Sequence, residues 1–248
     1  MYKILEVKVL SNNNIKNKFY TKIIIALDFS SKKKALNLLE KLDPKIYKIK
    51  IGKEMFFLLG IKFVEKIINL GFKVFLDLKL HDIPNTVSKA ILSLSKLNLW
   101  MISIHSFGGR EMMKSAKFSL SYFENKPPLL VAVTVLSSLS GKDIYELGIY
   151  SSINKQVLIL SQIAQEIGLD GIVCPGNSVK YIKNFLNKKF KIIVPGIRMH
   201  ENLYHDDQKN IITPKKIKSY KINYIVLGRI VTLSKNPIET LKKIISFF

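Results

Sequence analysis

The amino-acid sequence predicts an α/β protein with a single (β/α)₈ TIM barrel of eight parallel strands. Short β-rich runs alternate with amphipathic helical patterns eight times along the chain, which is typical of a parallel sheet. The chain has 248 residues, and one such barrel uses roughly 250. The G-x-G-x-x-G turn of dinucleotide-binding folds is absent, which favours the barrel over an open, doubly wound sheet.

Eight β-rich segments are predicted as strands. In chain order they cover residues 22–28, 47–52, 73–79, 100–105, 129–136, 171–174, 191–196 and 224–229. The intervening segments carry apolar residues at helical spacing; for example, Ala35 and Leu42 bracket an i, i+3, i+4, i+7 pattern. Helices are predicted at residues 33–42, 61–70, 86–97, 110–122, 154–167, 177–187, 214–220 and 237–247. The barrel would occupy residues 21–248, and residues 1–20 would form an irregular N-terminal extension.

The composition excludes several classes of protein. With 48 % hydrophobic and 23 % charged residues, the chain can fill a core, so global disorder is excluded. No apolar run approaches the roughly 18 residues of a membrane span, and charges interrupt the first apolar residues, unlike in a secretory signal. Cys174 is the only cysteine, which excludes an intrachain disulfide and a cysteine-based zinc site. We therefore expect a cytoplasmic globular protein with no membrane partner.

The net charge is strongly positive, because 40 Lys and Arg against 18 Asp and Glu give +22. A basic nucleic-acid-binding protein is one explanation. However, 37 of the 40 are lysines spread along the chain, and most aromatic residues occupy apolar helix or strand positions. This pattern favours a compositional bias, and we expect no nucleic-acid partner. The three arginines are Arg110, Arg198 and Arg229. Because lysine cannot replace a planar guanidinium, an arginine in this lysine-rich chain indicates a position where the guanidinium itself is needed.

Polar residues follow the carboxyl ends of the predicted strands, where (β/α)₈ barrels hold their active sites. They are Asp28, Lys50, Asp77, Lys79, His105, Ser137, Arg198 and Arg229. The two arginines follow strands seven and eight, the usual location of a phosphate site in this fold. The sequence therefore predicts an active site at this end of the barrel.

The third strand carries the most informative pattern, FLDLKLHDIPNT at residues 75–86. Because side chains alternate along a strand, Asp77 and Lys79 share the face opposite the leucines and point into the barrel mouth. Asp82 follows in the next loop, so the D-x-K-x-x-D spacing brings a cation between two carboxylates. A buried structural ion pair would stabilise the fold little. We therefore interpret Lys79 as a protonated group that donates a proton or stabilises a carbanion.

Two segments place arginine beside glycine, PGIR at 195–198 and GR at 228–229. Glycine lets backbone N–H groups approach an anion, and arginine can grip it with two hydrogen bonds, which suits a phosphate. The polar loop 198–214 is long enough for a lid. Within it, Gln208 either donates to phosphate oxygens or is an ordinary solvated side chain.

Three other inward-facing positions have no clear role in the sequence. Ser103 and His105 share the inner face of the fourth strand, and a lone inward histidine is more often a satisfied core group than a ligand. Lys48 lies deep on the second strand, and no partner for its charge is predicted. His200 and His205, in the loop 198–214, have no geometry that the sequence fixes, so no metal site is predicted.

These segments together resemble the orotidine 5′-phosphate decarboxylase family. The resemblance spans residues 22–247 and depends on IALD, KIGKEMF, FLDLKLHDIPNT, AVTVLSS, PGIR and IVLGR. It implies decarboxylation of orotidine 5′-phosphate to UMP and CO₂, the last step of de novo pyrimidine nucleotide synthesis, without a metal or organic cofactor. The D-x-K-x-x-D strand alone is shared with related barrels, so a Mg²⁺-dependent sugar-phosphate decarboxylase or aldolase is the alternative.

The resemblance also implies roles for individual residues. Lys79 would donate the proton to C6 as CO₂ leaves, and Asp77 would lie near the substrate carboxylate. Asp82 and Thr86 would enter the neighbouring subunit's site, which implies a homodimer with composite active sites. The other matches are substrate contacts: Asp28 and Lys50 to the ribose hydroxyls, Ser137 to the pyrimidine ring, Gln208, Gly228 and Arg229 to the phosphate, and Arg198 at a further position.

Overall fold

A computed structural model describes residues 22–199, 210–220 and 222–247 of the chain. Eight parallel strands pair in chain order, and the last pairs with the first, so the sheet closes into a barrel. The strands are β1 Ile23–Ala26, β2 Lys48–Gly52, β3 Lys73–Leu80, β4 Met101–His105, β5 Leu129–Val133, β6 Gly171–Val173, β7 Lys191–Val194 and β8 Tyr224–Leu227. The predicted (β/α)₈ fold is confirmed, whereas the N-terminal extension lies outside the described residues.

Helices follow the strands around the barrel. They are α1 Lys32–Leu39, α2 Lys53–Asn69, α3 Pro84–Leu92, α4 Gly109–Ser119, α5 Gly141–Glu146, α6 Ile153–Glu166, α7 Val179–Ile182, α8 Pro214–Lys218, α9 Arg229–Thr232 and α10 Pro237–Ser246. Short 3₁₀ turns at Ser106–Gly108, Leu120–Tyr122, Gly176–Ser178 and Lys183–Phe185 extend or precede some of them. In the described part of the chain, none of the helices is long and apolar enough to cross a membrane.

The second helix begins earlier than predicted. It starts at Lys53, directly after β2, and not at residue 61. Gly60, with a φ of 64°, interrupts it and divides the helical segment into two parts. In the first part Phe57 and Leu58 are exposed, so their apolar character marks no buried face and the helical period is obscured. Only the part after Gly60 carries the expected amphipathic pattern.

Two further differences concern short elements. The helix α5 was not predicted, because six residues are too few to show a helical period; Ser140 and Asp143 cap it reciprocally. Several strands are shorter than predicted, and the extended segment that was expected to reach Arg229 ends at Leu227. Arg229 is instead the first residue of α9, which places its side chain at the rim of the barrel.

Two apolar layers hold the barrel together. Its interior is filled by side chains from one face of the strands, namely Ile24, Ala26, Phe75, Met101, Val131, Val133, Val173, Ile193 and Val226. The other face packs against the surrounding helices. On β3 this alternation places Phe75 inside and both Val74 and Leu76 outside, as predicted.

Lys48 lies near the amino-terminal end of the barrel between two aromatic rings. Its Nζ is 5.3 Å from the ring centroid of Trp100 and 5.6 Å from that of Tyr224, distances at which a cation interacts favourably with a ring face. These contacts give the buried charge favourable surroundings that the sequence did not reveal. Burial, and secondarily the charge of Lys73, lowers the pKa of Lys48 from 10.5 to about 8.

This lowered pKa predicts how Lys48 affects stability. Between pH 8 and 10.5 the unfolded chain binds more protons at this site than the folded chain does. The contribution of Lys48 to stability therefore rises with pH across that window, by at most about 3 kcal/mol. We expect the difference in unfolding free energy between wild type and Lys48→Met, measured in urea at pH 7.5, 9 and 10.5, to grow in favour of wild type. A difference that does not change with pH would contradict this.

Candidate active site

A cavity of about 540 Å³ opens where the strands end, a volume suited to a small ligand. Residues of β1, β2, β3, β5, β6, β7 and β8, or of the loops that follow them, line it. The predicted site residues that the fold brings together in this cavity are Asp28, Lys50, Asp77, Lys79, Ser137, Arg198, Gly228 and Arg229. The structure adds Glu54, in the first turn of α2, and Leu233, directly after the end of α9.

Alternating charges form a chain of ion pairs in the cavity. The Nζ of Lys79 lies 2.8 Å from Oδ2 of Asp77, and the Nζ of Lys50 lies 3.4 Å from the same oxygen. Lys50 also lies 3.4 Å from Oδ1 of Asp28. One buried carboxylate thus holds two ammonium groups, and a second carboxylate shares one of them. Such a network keeps charged groups in place before any ligand binds.

The network fixes the ionisation of its buried members. Burial alone would raise the pKa of Asp77, but Lys50 and Lys79, with hydrogen bonds from Lys79 and Ser103, hold it below its usual range. Burial opposes the charge of Lys50 as well, yet Asp77 and Asp28 hold the pKa of Lys50 above its usual value. At neutral pH Asp77 is therefore an anion and Lys50 a cation.

Lys79 differs from Lys50 in how it faces the cavity. The side chain of Lys79 is 31 % exposed, whereas that of Lys50 is 12 % exposed, so Lys79 is the more accessible ammonium group. The backbone of Lys79 adopts a φ of 51°, and no other non-glycine residue of the described chain has a positive φ. A non-glycine residue held in this costly backbone conformation is common at functional sites.

The arginines line the same cavity. Arg198 is buried, and its backbone N–H donates to the carbonyl of Ile212, whose own N–H donates to the carbonyl of Gly196. Gly196 has a φ of 77°, a conformation that glycine adopts without strain. Together these bonds fix the base of the loop after β7. Arg229 is half-buried and follows Gly228 at the start of α9.

The loop that carries Ser137 is tied to the far end of the loop after β7. The N–H of Asn210 donates to the carbonyl of Ser137 at 2.9 Å, and its side-chain amide donates to the carbonyls of Ser137 and Leu139 at 3.1 and 2.8 Å. No pattern in the sequence indicates Asn210, because nothing distinguishes it from the many other asparagines. Gln208, the predicted phosphate contact, lies outside the described residues, as do the lid histidines.

Asp82 and Thr86 do not line the cavity of their own chain. Asp82 is exposed and its Oδ1 accepts the N–H of Ile83 at 2.6 Å, while Thr86 is exposed on the first turn of α3. Within the described chain Lys79 forms an ion pair with Asp77 and none with Asp82. The D-x-K-x-x-D spacing predicts a lysine between two carboxylates, and one chain alone does not form that arrangement.

His105 lies beside the site without lining it. Its ring stacks on His81 with 5.3 Å between centroids, and its Nδ1 accepts the N–H of Phe107. Burial, followed by the charges of His81 and Lys79, lowers the pKa of His105 to about 4. His105 is therefore neutral near pH 7, which agrees with the interpretation of a hydrogen-bonded packing group.

The sequence model of the orotidine 5′-phosphate decarboxylase / HUMPS family matches residues 21–244 of the chain. The chain belongs to this family. A relative named orotidine 5′-phosphate decarboxylase from Buchnera aphidicola subsp. Schizaphis graminum is 55 % identical over 224 residues, which cover 90 % of this chain and 94 % of the relative. One of the same name from Tolumonas auensis is 42 % identical over 223 residues, covering 90 % and 96 %.

A solved structure of a family member has the same architecture. The crystal structure of orotidine 5′-phosphate decarboxylase from Lactobacillus acidophilus superposes with a TM-score of 0.79 at 33 % identity, covering 92 % of this chain and 99 % of that one. The decarboxylase family membership expected from the motifs is thus confirmed. The motif segments that indicated it contain all eight predicted residues that line the cavity.

Proposed function

We propose that the chain decarboxylates orotidine 5′-phosphate to UMP and CO₂, the last step of de novo pyrimidine nucleotide synthesis. The observation that carries this proposal is the ion-pair network of Asp28, Lys50, Asp77 and Lys79 in one cavity with Arg229, in a member of this family. A phosphorylated nucleotide does not cross a membrane unaided, so we also propose that the enzyme acts in the cytoplasm.

The network supports a direct mechanism. As the bond between C6 and the carboxylate breaks, CO₂ leaves and its bonding electrons remain on C6. The ammonium group of Lys79 stabilises this developing negative charge and transfers a proton to C6, after which solvent reprotonates the lysine. Asp77 is anionic and faces the substrate carboxylate, so its repulsion is relieved as neutral CO₂ departs. Both groups are held before the substrate binds, 2.8 Å from each other.

The remaining residues of the cavity would hold the substrate. Asp28 is the more exposed carboxylate of the network, and Lys50 anchors it at 3.4 Å, which suits contacts to the ribose hydroxyls. Ser137 would contact the pyrimidine ring. Arg229, the backbone of Gly228 and Gln208 would bind the phosphate, with Arg198 as a further contact at the base of the loop.

We further propose that the active unit is a homodimer with composite sites. Asp82 and Thr86 are exposed and lie outside the cavity of their own chain. Next to Asp82 in the chain, Ile83 is 65 % exposed. An exposed apolar side chain between two polar residues of the motif is what a subunit contact would cover. In such a dimer Asp82 would give Lys79 of the partner its second carboxylate.

The decisive experiment is the loss of orotidylate absorbance with purified protein, with and without saturating EDTA. We expect turnover that survives EDTA, because every proposed role belongs to a side chain or backbone group. Within the described residues no three His, Cys, Asp or Glu side chains are grouped as metal ligands. Loss of activity on chelation and recovery on added Mg²⁺ would instead support the sugar-phosphate class of barrel enzymes. A nucleic-acid-binding protein would give no turnover at all.

Arg229→Lys is expected to lower kcat/KM for orotidine 5′-phosphate, because a forked contact to a charged group is lost. The loss of transition-state stabilisation should be about 1.5–3 kcal/mol. The unphosphorylated nucleoside should be a poor substrate for wild type and lose little more on substitution. Arg110→Lys is the matched control, since Arg110 pairs with Glu166 on the outer surface. Equal losses with both substrates would make Arg229 a structural residue.

A further inference from the structure

Ser103 lies fully buried on the inner face of β4, beside the Asp77–Lys79 pair but without lining the cavity. The pairing of β3 with β4 is regular up to Leu76 and resumes at Leu80, so that the three residues 77–79 oppose Ser103 alone. This irregularity is a β-bulge, a feature that redirects side chains and often accompanies active sites.

The Ser103 hydroxyl joins the two functional residues of the bulge by hydrogen bonds. Its Oγ donates to Oδ1 of Asp77 at 2.8 Å and accepts the backbone N–H of Lys79 at 2.9 Å. The other carboxylate oxygen, Oδ2, accepts from the Nζ of Lys79 at 2.8 Å. These three bonds form a closed ring through the Asp77 carboxylate, the serine and both ends of Lys79.

Each bond restrains a different freedom. The bond to Oδ1 fixes the rotation of the Asp77 carboxylate, so that Oδ2 is directed at the two ammonium groups. The bond from the Lys79 N–H supports a backbone with a φ of 51°, which is costly for a non-glycine residue and persists only where neighbouring groups hold it. A side chain without a hydroxyl would leave both a buried N–H and a buried carboxylate oxygen short of a partner.

We propose that Ser103 is a positioning residue for the decarboxylation, holding Asp77 and Lys79 in their reactive arrangement. This inference depends on the proposed function. Because Ser103 does not touch the cavity, its loss removes no substrate contact, and Lys50 keeps its pairing with Asp28. Loss of Ser103 therefore changes kcat and not KM.

The test compares the kinetics of Ser103→Ala with those of wild type. We expect kcat to fall about 10- to 100-fold with KM changed less than about twofold, from the loss of one or two buried hydrogen bonds. The Ser103 hydrogen bond helps to hold the pKa of Asp77 down. Without this bond the pKa of Asp77 rises, so the acid limb of the kcat profile of Ser103→Ala lies at higher pH than that of wild type. Ser103→Cys, which keeps the volume but donates weakly, resembles Ser103→Ala, and Ser103→Thr, which keeps the hydroxyl, recovers part of the rate.

Ser106→Ala is the matched control. Ser106 is equally buried just after β4, but its hydroxyl donates to the carbonyl of Val133 and to no catalytic group. Its substitution should leave the pH profile unchanged. A wild-type kcat in Ser103→Ala or Ser103→Cys overturns this inference and leaves the proposed function standing. So does a loss of kcat that Ser106→Ala reproduces when both variants lose the same melting temperature. A wild type without turnover overturns the proposed function and this inference with it.

Discussion

Lys79→Ala should lower kcat by about 10²- to 10⁴-fold or more, the range in which proton donors contribute to catalysis. The substitution removes the proposed donor to C6 and also the accessible cation that stabilises the developing charge there. Asp77 then keeps only its ion pair with Lys50, at 3.4 Å, while it faces the negatively charged carboxylate of the substrate. Orotidylate absorbance under saturating substrate measures the effect directly.

Lys73→Ala is the control for this experiment. Lys73 begins the same strand at its opposite, amino-terminal end and is exposed, so its loss changes the net charge equally without touching the cavity. Its activity should stay within about twofold of wild type. If Lys79→Ala retains a tenth of the wild-type kcat, Lys79 is not the proton donor.

Local patterns predicted the barrel because its physical requirements repeat eight times. A parallel strand buried on both faces is mostly apolar, and the polar residues of the site lie where the strands end. On β3 the alternation of side chains correctly assigned Asp77 to the barrel mouth and the leucines to the opposite face. The same reasoning missed α5, since a helix of six residues completes too few turns to show a period.

The site was predictable as a set of residues but not as a geometry. Spacing places Asp82 three residues after Lys79, yet the loop before α3 leaves it outside the cavity of its own chain. Alternation also cannot foresee the bulge that gives Lys79 its positive φ, because register between two strands is not encoded in either strand alone. Ser103 therefore looked like any inward-facing serine until its partners were known.

Contacts between distant elements explain the rest. Lys48 acquires its aromatic neighbours from residues 52 and 176 positions further along the chain, and no local pattern in β2 could indicate them. The chemical roles came from the family motifs. Barrel geometry groups the charged residues at one end, but carboxylates, lysines and arginines in one cavity are compatible with more than one reaction of a phosphorylated substrate.

Restoration of activity by mixing two inactive variants should decide whether the sites are shared. Lys79→Ala and Asp82→Ala chains, each nearly inactive alone, are unfolded together and refolded in equal amounts. Random pairing makes about half of the dimers mixed. In each mixed dimer one site carries both substitutions, whereas the other combines an intact Lys79 with an intact Asp82. Activity should therefore rise to about one quarter of that of wild type taken through the same cycle.

A second mixture is the control for the recovery expected from the first. Asp77 and Lys79 of one chain lie 2.8 Å apart, so they serve the same cavity whatever the assembly. Mixing Lys79→Ala with Asp77→Ala leaves one substitution in every site, and activity should not recover. If Asp82 served the cavity of its own chain, the first mixture would behave like this second one. No recovery in the first mixture, with mixed dimers detected by native mass spectrometry, would contradict the composite site and leave the decarboxylase assignment intact.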